Sequence, residues 1–180
     1  MEIYILRHGE TVWNFKGITQ GRSNNRLSKN GKKQVEELAK EFKDIHFDEI
    51  FVSPLMRTVQ TANIFNKYHS KKLIKDERII EIDQGIFTGR KKDSFTPEEI
   101  EIRKNRPEGY GMETQQMIID RVKLFLEDIA VRYKDKKILV VTHRGIAKIL
   151  YYLINNIDTN EKIEDMSLFK NAEIRKCIYN

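Results

Sequence analysis

Short uninterrupted apolar runs alternate along the chain with longer stretches in which apolar residues recur every three or four positions. Ile3-Tyr4-Ile5-Leu6 is the first run, rich in Ile and Tyr, and it reads as a buried strand. Glu49–Val52, Leu73-Ile74 and Ile138-Leu139-Val140-Val141-Thr142 read the same way. Between them lie helical patterns. Ser28 is placed to cap a helix whose apolar face carries Val35, Leu38, Ala39 and Phe42. Ser53-Pro54 reads as N-cap and first helical residue of a second helix, running through Val59, Ala62, Ile64 and Phe65 to about residue 68. Thr96-Pro97-Glu98-Glu99 is a capping box before a short helix. Ile118, Val122, Phe125 and Ile129 mark one face of a long helix over 114–133, and another helix is expected over 146–154. Residues 173–179 read as a last strand at a sheet edge, and residues 10–27 as a polar loop. Strands alternating with helices imply parallel pairing with helical crossovers. The expected fold is therefore α/β: a three-layer α/β/α sandwich with a mostly parallel sheet.

A length of 180 residues suits one domain over 1–180, with the polar, basic segment 90–110 as a small lid. No apolar stretch reaches the length of a membrane span, and no basic segment followed by an apolar run opens the chain. The single cysteine, Cys177, leaves no internal disulfide, so a cytoplasmic protein is expected. The net charge of +6 favours anionic partners. The lysine pairs (Lys32-Lys33, Lys71-Lys72, Lys91-Lys92, Lys136-Lys137) are scattered among acids and turns, which reads as solvated surface. No nucleic-acid signature or zinc-finger spacing is present, so neither nucleic acid nor membrane is expected as a partner. Monomer and homodimer both stay open.

Two strand ends carry the candidate chemistry. The first strand stops at Arg7-His8-Gly9-Glu10-Thr11, and the strand over 138–142 runs into His143-Arg144-Gly145. Open α/β sheets place ligand sites at the carboxyl ends of their strands. A histidine beside an arginine at two such ends suggests an anion site with a nucleophile or general base. Zinc would want three or four locally spaced ligands, and arginines beside both histidines disfavour a cation. His46 and His69, in polar helix-end contexts, read as solvated. Arg57 falls in the first turn of a helix, where the dipole disfavours a cation unless an anion is also bound. Glu81 and Asp83 offer a general acid, and Gly85 and Gly89 suggest tight backbone near a ligand or turn.

Taken together, these segments resemble the histidine phosphatase superfamily, which includes the cofactor-dependent phosphoglycerate mutases. The resemblance rests on Leu6-Arg7-His8-Gly9-Glu10-Thr11, Ser53-Pro54-Leu55-Met56-Arg57-Thr58-Val59-Gln60-Thr61-Ala62, the segment 81–89, Gly111-Met112-Glu113-Thr114 and Val140-Val141-Thr142-His143-Arg144-Gly145. It implies that His8 is the nucleophile, giving a phosphohistidine. It implies that Arg7, Arg57 and His143 bind the phosphoryl oxygens and that Glu81 protonates the leaving oxygen. Asn14, Gln20, Gly21 and Arg22 fall where the family places further contacts. No metal and no cofactor is implied. Phe87-Thr88 replaces the pair usual before the second glycine, and His143-Arg144-Gly145 replaces the commoner His-Gly-Gly. Arg144 either adds charge to the pocket or points outward from a helix start. The short chain and modest lid favour a phosphomonoesterase acting on a small phosphorylated metabolite. A mutase is the alternative, and a non-catalytic phosphate-binding protein a further one.

Overall fold

The computed structural model describes residues 1–159 and 169–179. A five-stranded sheet forms its centre, in the order β3-β2-β4-β1-β5. The strands are β1 (Glu2–Arg7), β2 (Glu49–Val52), β3 (Leu73–Lys75), β4 (Lys137–Thr142) and β5 (Ile174–Ile178). β1 to β4 pair in parallel, and β5 runs antiparallel beside β1 at one edge. The mostly parallel α/β/α architecture and its late edge strand are those expected.

Alternation along each strand divides the core between two faces. Ile3 and Ile5 of β1 pack with Ile138 and Val140 of β4 against α5 (Gln115–Arg132) and α6 (Arg144–Ile154). Tyr4 and Leu6 point the other way. With Leu139 and Val141 they pack against α2 (Lys29–Glu41) and α3 (Met56–Phe65). Both faces of β1 and β4 are thus covered, which explains their unbroken apolar sequences.

Three local expectations are revised. The 10–27 loop contains a one-turn helix, α1 (Val12–Phe15), closed by a reciprocal Thr11–Asn14 capping box. Ser53-Pro54 does not start α3. Helix α3 begins at Met56 with Leu55 as N-cap and no side-chain cap bond. The Ser53 hydroxyl is instead 2.7 Å from His143 Nε2, a tertiary bond that takes it away from any capping role. Helix α6 begins at Arg144, two residues earlier than expected, with His143 itself at the N-cap.

Segment 90–110 folds over one end of the sheet. Its helix α4 (Pro97–Asn105) keeps the expected capping box at Thr96. Phe95 packs with Phe87 and Met112 in a small separate core. Backbone bonds from Thr19 to Arg90 and from Lys92 to Gly17 tie the segment to the loop after α1. Among the described residues, no helix is long and apolar enough to cross a membrane.

Candidate functional site

The parallel pairing of β1 with β4 places Arg7 opposite Thr142, so His8 and His143 leave adjacent strand ends. Their rings lie 5.3 Å apart, centroid to centroid. His8 sits at a cleft of about 280 Å³ whose walls also include Arg7, Asn14, Gln20, Glu81, Lys92, Arg103 and Arg144.

His8 is almost fully buried. Its Nδ1 lies 2.7 Å from the Gly9 carbonyl, which can only accept, so Nδ1 carries the ring proton and Nε2 keeps its lone pair. Burial, then Arg57 and Arg7, holds the ring pKa well below its usual value. The result is a neutral imidazole in a cationic setting. Arg7 donates through Nη1 to the Phe169 carbonyl at 2.7 Å, while its buried Nε has no partner among the described residues. Burial, followed by repulsion from Arg144, lowers Arg7 to about 10, so it stays charged at neutral pH.

His143 and Arg57, which the resemblance assigns to the phosphoryl oxygens, lie behind the residues that line the cleft. Both are fully buried, and neither is part of the cleft wall. Arg57 Nε donates to His143 Nδ1 at 3.2 Å, which assigns the His143 proton to Nε2 and its donation to Ser53. The other Arg57 nitrogens donate to the carbonyls of Ser23 and Gly21, at 2.7 and 2.9 Å. Arg57 therefore staples the 20–23 loop to His143 and reaches the cleft by its field. Burial lowers its pKa to about 10, with Glu81 opposing the fall.

Glu81 is half-buried in the cleft wall, and its Oε1 accepts from the Ile82 amide at 3.0 Å. Burial raises its pKa; Arg57, the Ile82 amide and Arg7 pull the other way without cancelling the rise. A carboxyl whose pKa is raised by burial, in the same cleft as a neutral imidazole, is the pairing expected of an acid and a nucleophile.

The remaining expected residues divide. Asn14, Gln20 and Gly21 line the cleft. The Thr11 amide donates to Asn14 Oδ1 at 3.1 Å and the Thr11 hydroxyl to Gln20 Oε1 at 3.0 Å, which fixes both side-chain amides. Arg144 also lines it, and Lys92 and Arg103 of the 90–110 segment join it. Arg22 does not. Its Nη2 pairs with Glu113 at 2.8 Å and its Nε donates to the Glu81 carbonyl at 3.3 Å. His69, expected to be solvated, is half-buried and stacks on Phe65. His46 is exposed, as expected.

Two supports were missed by the sequence reading. Glu113 accepts from Arg121 Nε at 2.8 Å, from Arg121 Nη2 at 3.0 Å and from the Asp83 amide at 3.0 Å, so it anchors the loop that carries Glu81. Burial pushes Glu113 up, but these bonds outweigh it and its pKa is lowered. Arg121 stands three residues after Ile118 and four before Phe125. A charge on that apolar stripe was the available signal. The second support is residues 169–173. Asn171 donates to the His8 carbonyl at 3.2 Å and to Asn14 Oδ1 at 3.3 Å, and the Ala172 amide also donates to His8. No local pattern announces that contact.

Three comparisons bear on this geometry. The family model described as histidine phosphatase superfamily (branch 1) matches residues 3–180. Phosphoserine phosphatase 1 of Hydrogenobacter thermophilus is 33% identical over 167 residues, covering 89% of this chain and 79% of that one. The probable phosphoglycerate mutase GpmB of Escherichia coli is 33% identical over 156 residues, covering 82% and 71%. Among solved structures, a mutant phosphoserine phosphatase from Entamoeba histolytica in complex with phosphoserine superposes with a TM-score of 0.83 at 25% identity, covering 99% of this chain and 91% of that one.

Proposed function

The chain belongs to branch 1 of the histidine phosphatase superfamily, and from that premise we propose that it hydrolyses a small phosphorylated metabolite through a phosphohistidine on His8. The observation that carries this reading is the Nδ1–carbonyl bond of His8. It leaves Nε2 unprotonated on a residue of the cleft wall, among cations that attract a phosphomonoester.

The Nε2 lone pair attacks phosphorus as the ester P–O bond breaks. Glu81 gives its proton to the departing alkoxide. Positive charge that develops on the imidazole is offset by the Gly9 carbonyl at Nδ1. Arg7 stabilises the transferring oxygens directly, and Arg57 adds its field from behind. Water then attacks the phosphorus of the phosphohistidine and yields its proton to Glu81. The N–P bond breaks, restoring neutral His8 and releasing phosphate. His143 is held by Arg57 and Ser53, so it backs the nucleophile as a neutral ring; burial, then Arg57, keeps its pKa well below the usual value.

A panel of metabolite phosphates tests the reading by phosphate release. Turnover of at least one alkyl monoester is expected, and no release from any alkyl or aryl ester overturns it. The mutase relative motivates a second reading, since Lys92 and Arg103 of the 90–110 segment contribute to the cleft wall. With 3-phosphoglycerate and catalytic 2,3-bisphosphoglycerate, phosphate release outpacing isomerisation supports the hydrolase. The reverse supports the mutase.

A further inference from the structure

Helix α4 ends in a conformation that its sequence disfavours. Arg106 caps it at φ 49° and ψ 52°, in the left-handed region. Helices often close through a residue of this shape, but that residue is usually glycine, because a Cβ is crowded there. Pro107 follows, and a proline pushes the residue before it toward extended backbone. The guanidinium is also drawn out of water: Arg106 is half-buried, and burial lowers its pKa. A residue held against so many preferences is fixed by its contacts.

Those contacts run to the loop that carries Glu81. Arg106 Nη2 donates to the Asp83 carbonyl at 2.5 Å, and Nε donates to the Glu113 carbonyl at 2.7 Å. The two donors share one edge of the planar fork, so they fix the separation of two chain segments. Both acceptors are backbone carbonyls, so the bonds set the course of the chain. Around them, the Asp83 amide donates to Glu113 Oε2 at 3.0 Å, the Ile86 amide donates to the Tyr110 carbonyl at 3.2 Å, and Gln84 forms an isolated bridge with Met112. Asp83 stands two residues after Glu81, and the Ile82 amide between them holds Glu81 Oε1. A shift at Asp83 therefore carries to the acid. Arg106 is not part of the cleft wall, so it acts through this loop.

We infer that Arg106 is a positioning residue for the proton donor: from the end of α4 it clamps the loop over 81–86, so that the 90–110 segment sets where the Glu81 carboxyl stands. The inference rests on the hydrolase reading for its kinetic consequence, though not for the clamp itself. The left-handed backbone also supplies a way to separate folding from function. Arg106→Gly removes the fork but installs the residue that the turn prefers. The loss of two hydrogen bonds is then offset in stability and not in catalysis.

Steady-state kinetics on propyl phosphate and 4-nitrophenyl phosphate, beside urea denaturation of the same preparations, test the clamp. Departure of an alkoxide needs a proton, and departure of nitrophenolate does not. Arg106→Gly is expected to lower kcat/KM for propyl phosphate by roughly 10- to 100-fold, with KM little changed. The value for 4-nitrophenyl phosphate and the urea midpoint should stay near those of the wild type. Arg106→Lys should recover part of the alkyl rate, since an ammonium is a point donor where the fork spans two carbonyls. In a Glu81→Gln background, Arg106→Gly should add no further loss on propyl phosphate, because its effect passes through the acid. Full activity on the alkyl ester, equal losses on both esters, or losses that multiply in the double variant overturn the inference. Amide hydrogen exchange reads the clamp without turnover. The Ile82, Asp83 and Ile86 amides should exchange about tenfold faster in Arg106→Gly, while those of α5 keep their rate. If the wild type hydrolyses no ester, the hydrolase reading falls and exchange alone decides; unchanged protection over 82–86 overturns the clamp.

Discussion

Gly145→Ala separates the catalytic role of Glu81 from the stability of the fold. A Cβ at this position would stand 2.4 Å from Ile82 Cδ1, 3.1 Å from Ile82 Cγ1 and 3.2 Å from Glu81 Oε1. Carbon atoms pack best at about 3.5–4.0 Å, so the overlap with Cδ1 exceeds 1 Å. Rotating the end of the Ile82 side chain removes that overlap but not the crowding at Cγ1. Ile82 is nearly buried in the main core, so relief has to come from a shift of the 81–82 backbone. The Ile82 amide holds the Glu81 carboxylate, and a shift there moves the acid. Overpacking costs about 1–3 kcal/mol. Replacing glycine by alanine within a helix returns up to about 1 kcal/mol, so net destabilisation is about 0–3 kcal/mol. A misplacement near 1 Å, by contrast, costs on the order of 100-fold in rate. Urea denaturation and kcat/KM on an alkyl phosphate, measured on one preparation, compare the two effects. The activity loss should far exceed the stability loss, and it should shrink on an aryl phosphate whose leaving group needs little protonation. Full activity, or equal losses on both esters, refutes the reasoning.

Three further outcomes follow from the same geometry. Glu81→Gln should lower kcat on alkyl esters by about 10²–10⁴-fold and remove the basic limb of the pH–rate profile, since the acid must be protonated; a profile unchanged in shape counts against the assignment. The same variant bears on stability. The raised native pKa means that Glu81 stabilises fully below the usual glutamate value of 4.5, and this is lost as pH rises through the native value. The variant should therefore show a flatter pH–stability curve over that window. Glu113→Ala breaks a nearly buried pair with Arg121 and should cost about 3–5 kcal/mol in chemical denaturation. Because its native pKa is lowered, the wild-type contribution is complete above 4.5 and drains as pH falls through the native value; a loss that persists equally at low pH contradicts the pairing. Asn171→Ala should lower kcat about tenfold with little change in KM. Asn171→Asp should be worse, because it turns an acceptor toward the His8 carbonyl and Asn14 Oδ1, and a milder aspartate would show that Asn171 positions neither group.

Much of the fold was legible because its signals are local. β1 and β4 are buried on both faces, so their sequences are unbroken apolar runs. Ser28, Thr96 and Thr114 cap the helices that follow them by contacts three residues away. Ser53 misled because its hydroxyl is committed to His143, ninety residues on. The site was legible where it sits at strand ends, hence His8 and His143. It was not legible where it depends on which groups reach it through space. Arg22 and Arg144 look alike as surface arginines. One is drawn off by the Glu113 carboxylate, while the other lines the cleft. The depth of Arg57 is likewise set by the carbonyls of a loop more than thirty residues away.

The account stands most directly on the nitrogen that receives the phosphoryl group. Rapid acid-free quenching of the enzyme during turnover of an alkyl phosphate, followed by peptide mass spectrometry, tests it. An acid-labile, alkali-stable phosphoryl group on the peptide containing His8, absent from His8→Ala, is the predicted result. A phosphoryl group on another residue, or one that persists in His8→Ala, would contradict the assignment.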